Sequence, residues 1–153
     1  MTQKTSQFTS FMDAALAEAR SAAARGEVPV GAVITRNGQI IARAGNRTRE
    51  LHDPTAHAET LAIREACAAL KSERLPDCDL WVTLEPCPAC AATISAARLK
   101  RLYYAAPDPK SGGVCHGPRI FTHPQAHHAP EVYSGLLEDQ SAALLRAFFA
   151  SKR

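Results

Sequence analysis

Residues 79–97 read DLWVTLEPCPACAATISAA and predict a strand that passes directly into a helix. Asp79–Leu84 has the continuous apolar character of a buried strand. Pro86 interrupts the strand, and Pro88 suits the first turn of a helix that we expect to run to Ala97. A strand followed by a helix in this way is the repeating step of an α/β fold.

The same alternation continues on both sides of this segment. Upstream, the pattern predicts a helix from a Ser10 cap to Arg25, strands at 28–35 and 40–44 around an Asn37-Gly38 turn, and a helix over 56–70. Downstream it predicts a strand at 102–106, a long loop over 107–130, a short edge strand at 132–133 and a helix over 138–149. The order predicts one α/β domain over residues 1–153, a three-layer α/β/α sandwich with one mixed sheet of about five strands.

Length and composition are those of one ordinary globular domain. The chain has 153 residues, 46% hydrophobic and 22% charged, which excludes disordered and collagen-like classes. No apolar run reaches the roughly 18 residues of a membrane span. The first 20 residues carry Asp13 and Glu18 where a secretory signal would be apolar. We therefore expect a cytoplasmic protein that does not associate with membranes.

The net charge of +3 is unevenly distributed along the chain. Residues 1–97 carry 10 Lys/Arg and 11 Asp/Glu, whereas residues 98–153 carry 8 and 4, a net charge of +4. This asymmetry is either a chance feature of a solvated surface or the mark of a face that meets a polyanion such as a nucleic acid. Charge alone leaves both interpretations open.

Five cysteines, an odd number, argue against a disulfide framework in a chain of this kind. Cys87 and Cys90 form a Cys-x-x-Cys pair, which is typical either of a redox site or of half a metal site. Cys67, Cys78 and Cys115 are expected to be ordinary small side chains.

A metal site requires further ligands, and His57 is the strongest candidate. It lies in the segment 53–59 at the start of the second predicted helix, one helix, one loop and one strand before Cys87. Such a crossover would bring the two helix N-termini together, where partial positive charge favours thiolates. His57, Cys87 and Cys90 would give Zn²⁺ three ligands and leave the fourth position to water, as in catalytic zinc sites.

Glu59 lies two residues after His57 and suits the role of a proton shuttle. Zinc lowers the pKa of a bound water to about 7, and a nearby carboxylate can take the proton. Each of these residues alone is common in structural roles, and a redox pair would explain neither His57 nor Glu59. Together, His-x-Glu followed by Pro-Cys-x-x-Cys is the known signature of zinc deaminases.

These motifs resemble the cytidine-deaminase-like superfamily and, within it, the bacterial tRNA-specific adenosine deaminases. The resemblance covers about residues 10–150. The loop Gly113–Arg119, whose role the sequence leaves open together with Gly112, and Pro107 depart from the family's pattern. The segments that follow it are Glu27–Val33 (EVPVGAV), Gly45–Arg47 (GNR), His52–Glu59 (HDPTAHAE), Val82–Cys87 (VTLEPC), Asp108–Gly112 (DPKSG) and Leu144–Phe149 (LLRAFF).

The resemblance implies hydrolytic deamination of adenosine to inosine at the wobble position of a tRNA anticodon. One zinc per chain would be held by His57, Cys87 and Cys90, with Glu59 as the catalytic residue. The implied partners are the anticodon stem-loop and a second copy in a homodimer, with no role for DNA. The residues implied in substrate binding are Val28, Asn46, Ala58, Leu84, Pro86 and Asp108.

RNA contacts are expected in the more basic C-terminal half. Phe149 offers an aromatic surface for stacking, and the cations would contact phosphates. The candidates are Lys110, Arg119, Arg146, Phe149, Lys152 and Arg153.

Two other functions remain compatible with the residues. The first is a zinc-dependent deaminase of a free nucleobase or nucleoside, such as guanine or cytosine, whose pocket would be closed by the C-terminal segment. The second is a non-enzymatic zinc-stabilised module, which Glu59 argues against because a structural site needs no shuttle carboxylate. The charge of residues 98–153 and the Phe148-Phe149 ending favour an RNA substrate.

Overall fold

The computed structural model describes residues 7–152 and contains the predicted order of elements. The helices are α1 (Met12–Ala24), α2 (Ala58–Leu70), α3 (Pro88–Ala97) and α4 (Glu138–Ala150). The strands are β1 (Gly31–Arg36), β2 (Gln39–Gly45), β3 (Cys78–Leu84), β4 (Arg101–Ala106) and β5 (Glu131–Ser134). Arg153, one of the predicted RNA contacts, lies outside the described residues.

One mixed sheet with strand order β2-β1-β3-β4-β5 forms the middle layer, which confirms the predicted fold class. β1 pairs antiparallel with both β2 and β3, whereas β3, β4 and β5 run parallel. The β1–β2 turn places Asn37 and Gly38 at φ 52° and 73°, the left-handed conformations that the Asn-Gly pair predicts. Helix α3 connects two parallel strands, and this connection directs its N-terminus to the end of β3.

Two hydrophobic layers cover the sheet. On one face, α2 and α3 pack through Ala62, Ala66 and Ile94 against strand residues such as Leu80 and Leu102. On the other face, Met12 and Ala15 of α1 pack with Val33, Trp81 and Tyr103, where Leu136 and Leu137 before α4 join them. Within the described residues, no helix is both long and apolar enough to span a bilayer.

Three predicted element boundaries were wrong. β1 begins at Gly31 rather than Val28, because Pro29 has no N–H to donate to a ladder. α2 begins at Ala58 rather than Ala56, since His57 has an extended backbone. α1 begins after Phe11 rather than Ser10, although the Ser10 hydroxyl accepts a hydrogen bond from the Met12 N–H at 3.2 Å.

The predicted loop over 107–130 contains only one short 3₁₀ turn, Ile120–Thr122. Its first half returns to the end of β3, so part of this loop forms a wall of the candidate site. β4, β5 and α4 match their predicted positions, each extended by one or two residues.

Candidate active site

Two helix N-termini meet beyond the end of β3 and bring His57 next to the cysteine pair. His57 and Cys87 are the N-cap residues of α2 and α3, and both have extended backbones. His57 Nδ1 lies 3.5 Å from Cys87 Sγ and 3.3 Å from Cys90 Sγ. The crossover predicted from the sequence therefore brings the three candidate ligands together.

The spacing of these three atoms fits Zn²⁺. A tetrahedral zinc with its usual bond lengths, about 2.0 Å to nitrogen and about 2.3 Å to sulfur, holds N and S roughly 3.6 Å apart. All three ligand atoms lie within 4.8 Å of one another. Over residues 7–152, this is the one group of three or more potential ligands that lie so close together. Three ligands leave one coordination position free, as in catalytic zinc sites.

The two thiols differ in their affinity for protons. A hydrogen bond from Cys90 and a second from His57 hold the pKa of Cys87 well below its ordinary value. The same hydrogen bond to Cys87, together with burial, raises the pKa of Cys90. The two thiols therefore hold one proton between them. A divalent cation that binds both sulfurs would displace this proton.

Glu59 lies on the first turn of α2 with only 4% of its surface exposed. Burial raises the pKa of this carboxyl group above its ordinary value. The nearby His57 lowers this pKa, but by less than burial raises it. Despite this burial, Glu59 lines a cavity that also contacts His57 and Cys87. A carboxyl group that prefers to hold its proton and faces such a cavity is suited to proton transfer.

This catalytic cavity has a volume of about 230 Å³ and brings most of the predicted substrate-binding residues together. Val28 and Leu84 supply apolar walls, and Asn46 and Asp108 supply polar groups. Asn46 is 6% exposed, and its side-chain amide donates a hydrogen bond to the Thr48 hydroxyl at 3.3 Å. The full lining is Val28, Val30, Asn46, Thr48, His57, Glu59, Leu84, Cys87, Asp108 and Ser111.

Two predicted substrate-binding residues do not line this cavity. Ala58 is fully buried in the hydrophobic core, because the first turn of α2 directs its methyl group towards the sheet side. Pro86 is also buried, and its carbonyl oxygen accepts a hydrogen bond from the Gly113 N–H at 2.8 Å.

A second cavity of about 630 Å³ adjoins the catalytic cavity and contains three of the predicted RNA contacts. The two cavities share Val28, Leu84, Asp108 and Ser111. Lys110, Arg146 and Phe149 line the second cavity, and Phe149 is 52% exposed.

Two further RNA candidates lie apart from both cavities. Arg119 is exposed beside the 3₁₀ turn. Lys152 places its ammonium group 5.2 Å from the centre of the Phe148 ring.

Sequence reasoning missed Val30, Thr48 and Ser111, which also line the catalytic cavity. Val30 was assigned to a strand, and the other two are common loop residues without a distinctive pattern. It also missed Glu85, a fully buried carboxylate directly after β3. Burial would raise the pKa of Glu85, but hydrogen bonds from Asp108, His116, Cys115 and Val114 hold that pKa below its ordinary value.

Comparison with known proteins supports the chemistry of this site. Residues 5–106 match the family described as the cytidine and deoxycytidylate deaminase zinc-binding region. A tRNA-specific adenosine deaminase of Agrobacterium fabrum is 63% identical over 145 residues, covering 95% of each chain.

Solved structures extend the comparison to the fold. A structure from work on A-to-I editing by tRNA:A34 deaminases at the wobble position of transfer RNA matches with a TM-score of 0.87 and 63% identity, covering 88% of this chain and 98% of the other. A guanine deaminase from Nitrosomonas europaea matches with a TM-score of 0.73 and 26% identity, covering 91% of this chain and 82% of the other.

Proposed function

Since the chain belongs to the cytidine and deoxycytidylate deaminase zinc-binding family, we propose that it hydrolyses adenosine to inosine at the wobble position of a tRNA anticodon. The observation that carries this proposal is the cluster of His57, Cys87 and Cys90 beside the buried Glu59, at a cavity with both apolar and polar walls. The high identity to a tRNA-specific adenosine deaminase supports the substrate.

His57, Cys87 and Cys90 would hold one Zn²⁺ per chain. When bound there, zinc lowers the pKa of a water molecule so that it can act as a nucleophile at neutral pH. The three side chains come from two helix N-termini, whose partial positive charge stabilises the thiolates.

Glu59 would move the protons of the reaction. Its carboxylate would accept one proton from the attacking water and deliver it to adenine N1, and would then take the second proton from the hydroxyl group added at C6 and give it to the leaving amine. Because burial raises its pKa, the group holds a proton readily between these transfers. Its place in the wall of the catalytic cavity gives it access to the base.

The remaining residues of the cavity would orient the base. Deaminases of this kind extrude the target nucleotide and hold the flipped base between apolar side chains and hydrogen-bonding groups. Val28 and Leu84 would pack against adenine, while Asn46 and Asp108 would contact its polar edge or its ribose. We retain Ala58 and Pro86 as substrate-binding residues in this proposal, although their side chains lie outside the cavity lining.

The partner is the anticodon stem-loop, and the assembly is a homodimer whose two subunits both contact the loop. We place the protein in the cytoplasm, as one zinc-dependent deaminase domain over residues 1–153 that binds neither membranes nor DNA. The second cavity beside the site, with Lys110, Arg146 and Phe149, supports a substrate that extends beyond a single base.

The test is a direct comparison of substrates with the zinc-loaded protein. We expect inosine to form in an anticodon stem-loop with adenosine at the wobble position, and little product from free adenosine, guanine or cytosine. Deamination of free guanine in preference to the stem-loop would instead support the nucleobase deaminase that the Nitrosomonas likeness represents.

A further inference from the structure

The catalytic cavity is lined in part by a loop that contains neither helix nor strand. Asp108 and Ser111 line the cavity, and Lys110 lines the neighbouring one, yet all three follow the end of β4. Within the loop, Asp108 Oδ1 accepts hydrogen bonds from the N–H groups of Lys110 and Ser111 at 3.2 and 3.0 Å. These local bonds shape the turn, but they do not attach it to the rest of the protein.

Most of the hydrogen bonds that attach it end at Glu85, while the Gly113 N–H donates to the Pro86 carbonyl at 2.8 Å and the Tyr104 hydroxyl donates to Cys115 Sγ at 3.0 Å. The Glu85 carboxylate is fully buried and Oε2 accepts hydrogen bonds from three successive backbone N–H groups, those of Val114, Cys115 and His116, at 3.0–3.1 Å. Oε1 accepts a further bond from the Asp108 N–H at 3.1 Å and lies 2.7 Å from His116 Nδ1. One side chain therefore binds both ends of the loop segment 108–116.

The glycines of the loop allow it to fold this closely around the carboxylate. A Cβ atom at Gly112 would overlap Glu85 Oε2 and the Asp108 carbonyl oxygen. A Cβ at Gly113 would lie 2.6 Å from backbone atoms of Pro88, at the first turn of α3. The Gly-Gly pair is therefore needed for the loop to approach Glu85 and the metal-ligand turn.

Glu85 is also fixed on its other side. It directly follows β3, its own N–H donates to the Ala106 carbonyl at 2.8 Å, and it precedes Cys87 by two residues. A displacement of the carboxylate would therefore shift the loop relative to the candidate zinc ligands. Buried carboxylates with several backbone donors are costly to disrupt, because each donor is left unpaired.

From these contacts we propose that Glu85 is a positioning residue, which holds the loop Asp108–Gly117 as the substrate-facing wall of the catalytic cavity without contacting the substrate. The proposal rests on the proposed function for the identity of the substrate. It assigns a role to Val114–His116, which lie in the loop where this chain departs from the pattern of its family.

The first test is Glu85→Gln in the zinc-loaded protein, with the anticodon stem-loop as substrate. An amide cannot accept from all five donors, so the Asp108 end of the loop loses its attachment. We expect KM to rise about tenfold or more, which corresponds to the loss of about 1.4 kcal/mol of substrate binding, while the zinc content remains that of the wild type. A merely destabilised protein would instead lose active enzyme without a change in KM.

The second test needs no substrate. Hydrogen exchange should show loss of protection at the amides of Asp108, Val114, Cys115 and His116 in Glu85→Gln, but not in the core strands. Hydrogen exchange separates the role of Glu85 from the proposed function. If the wild type fails to deaminate the stem-loop, the proposed function is wrong, but amide exchange still shows whether Glu85 holds the loop.

Two variants complete the experiment. Gly112→Ala should reproduce the effect of Glu85→Gln from the loop side, and the double variant should be no worse than either, because both break the same contact. Glu131→Gln removes a carboxylate paired with Arg101 at the starts of β4 and β5, at the opposite end of these strands from the loop. It should leave KM and amide exchange unchanged. Wild-type KM and protection in Glu85→Gln, or loss of its zinc, would overturn the proposal.

Discussion

At the scale of single residues, the site depends on groups whose surroundings change their chemistry. Glu59 would be an ordinary helix carboxylate if it were exposed, but burial raises its pKa and places it beside His57 and Cys87. Cys87 would be an ordinary thiol elsewhere, but its partners lower its pKa. These shifts are the usual mark of a catalytic site.

Glu59→Gln removes the group that we expect to transfer protons and preserves its size. We predict that kcat falls by about 10⁴-fold, the upper end of the range for general acid–base groups, because one residue serves several transfers. Zinc content should not change, since Glu59 lies outside the proposed ligand set. Stem-loop deamination rates and elemental analysis measure both quantities.

The matched control is Glu65→Gln, which makes the same change on an exposed turn of the same helix. It should deaminate like the wild type. Substantial turnover in zinc-loaded Glu59→Gln would exclude the shuttle role.

Cys87→Ala leaves two protein ligands, and we predict that the purified protein loses most of its zinc. Metal binding contributes to folding, so thermal stability should fall as well. At zinc concentrations near 1,000 times the Kd, the lost stabilisation is about 4 kcal/mol. Cys67→Ala, on α2 but away from the cluster, should keep zinc and activity; full zinc retention in Cys87→Ala would contradict the proposed ligand set.

The ligands and Glu59 could be predicted from the sequence because they form two short motifs with characteristic spacing. His-x-Glu and Cys-x-x-Cys each fit within one helical turn, and one crossover joins them. Thr48, Ser111 and Glu85 could not be found in this way. The roles of Glu85 and Ser111 come from a loop that returns to the end of β3 from more than 20 residues away, whereas Thr48 lines the cavity from the loop after β2. No local spacing in the sequence predicts either contact.

At the scale of elements, two glycines allow α1 to approach the sheet closely. Gly31 of β1 and Gly45 of β2 are paired across the ladder, and both lie beneath α1. A Cβ at Gly31 would overlap the Ala15 carbonyl oxygen and the Ala19 nitrogen. Val30, which lines the cavity, directly precedes this contact.

Gly31→Ala should therefore destabilise the protein by about 3 kcal/mol or more, the upper range for overpacking against rigid neighbours. Gly45→Ala should cost less, about 1 kcal/mol, because the nearest atom to its Cβ, the Glu18 carbonyl oxygen, would lie 2.9 Å away, a milder overlap than at Gly31. Urea denaturation of both variants measures the difference. Equal stabilities would show that α1 can move away from β1 at little cost.

The order and type of the helices and strands could be predicted from the sequence, but some of their boundaries could not. Alternating apolar patterns and the Asn37-Gly38 turn predicted the sheet correctly, since those signals are local. The prediction failed at Val28–Val30, where apolar residues suggested a strand. There, Pro29 excludes regular pairing, and Val28 and Val30 line the cavity instead.

At the scale of the whole molecule, only some of the cations that cause the charge asymmetry lie beside the site. Residues 98–153 contain eight basic residues, but their surroundings differ. Arg101 is paired with Asp79 and Glu131, and Arg98 donates to the backbone of its own helix end. Of those that the structure describes, Lys110 and Arg146 line the cavity beside the site. We therefore expect RNA phosphates to be contacted chiefly there.

Lys110→Gln combined with Arg146→Gln should weaken binding of the anticodon stem-loop and reduce its dependence on salt. If each cation neutralises one phosphate of the single-stranded loop, the slope of log K against log salt should decrease in magnitude by about 1.4. Binding measured between low and physiological salt gives this slope. Zinc content should not change, because neither residue belongs to the proposed ligand set.

A double variant with the same loss of charge distinguishes local contacts from the overall field of the protein. Arg74→Gln with Lys100→Gln removes two exposed cations next to the starts of β3 and β4, at the opposite edge of the sheet from the site. Long-range steering would be weakened by either double variant, whereas direct phosphate contacts would be lost only in the first. We expect the Arg74/Lys100 variant to keep the wild-type slope at physiological salt, because charges separated by more than a Debye length of about 8 Å are largely screened. Equal slopes for the two variants would mean that net charge, and not the cavity beside the site, attracts the RNA.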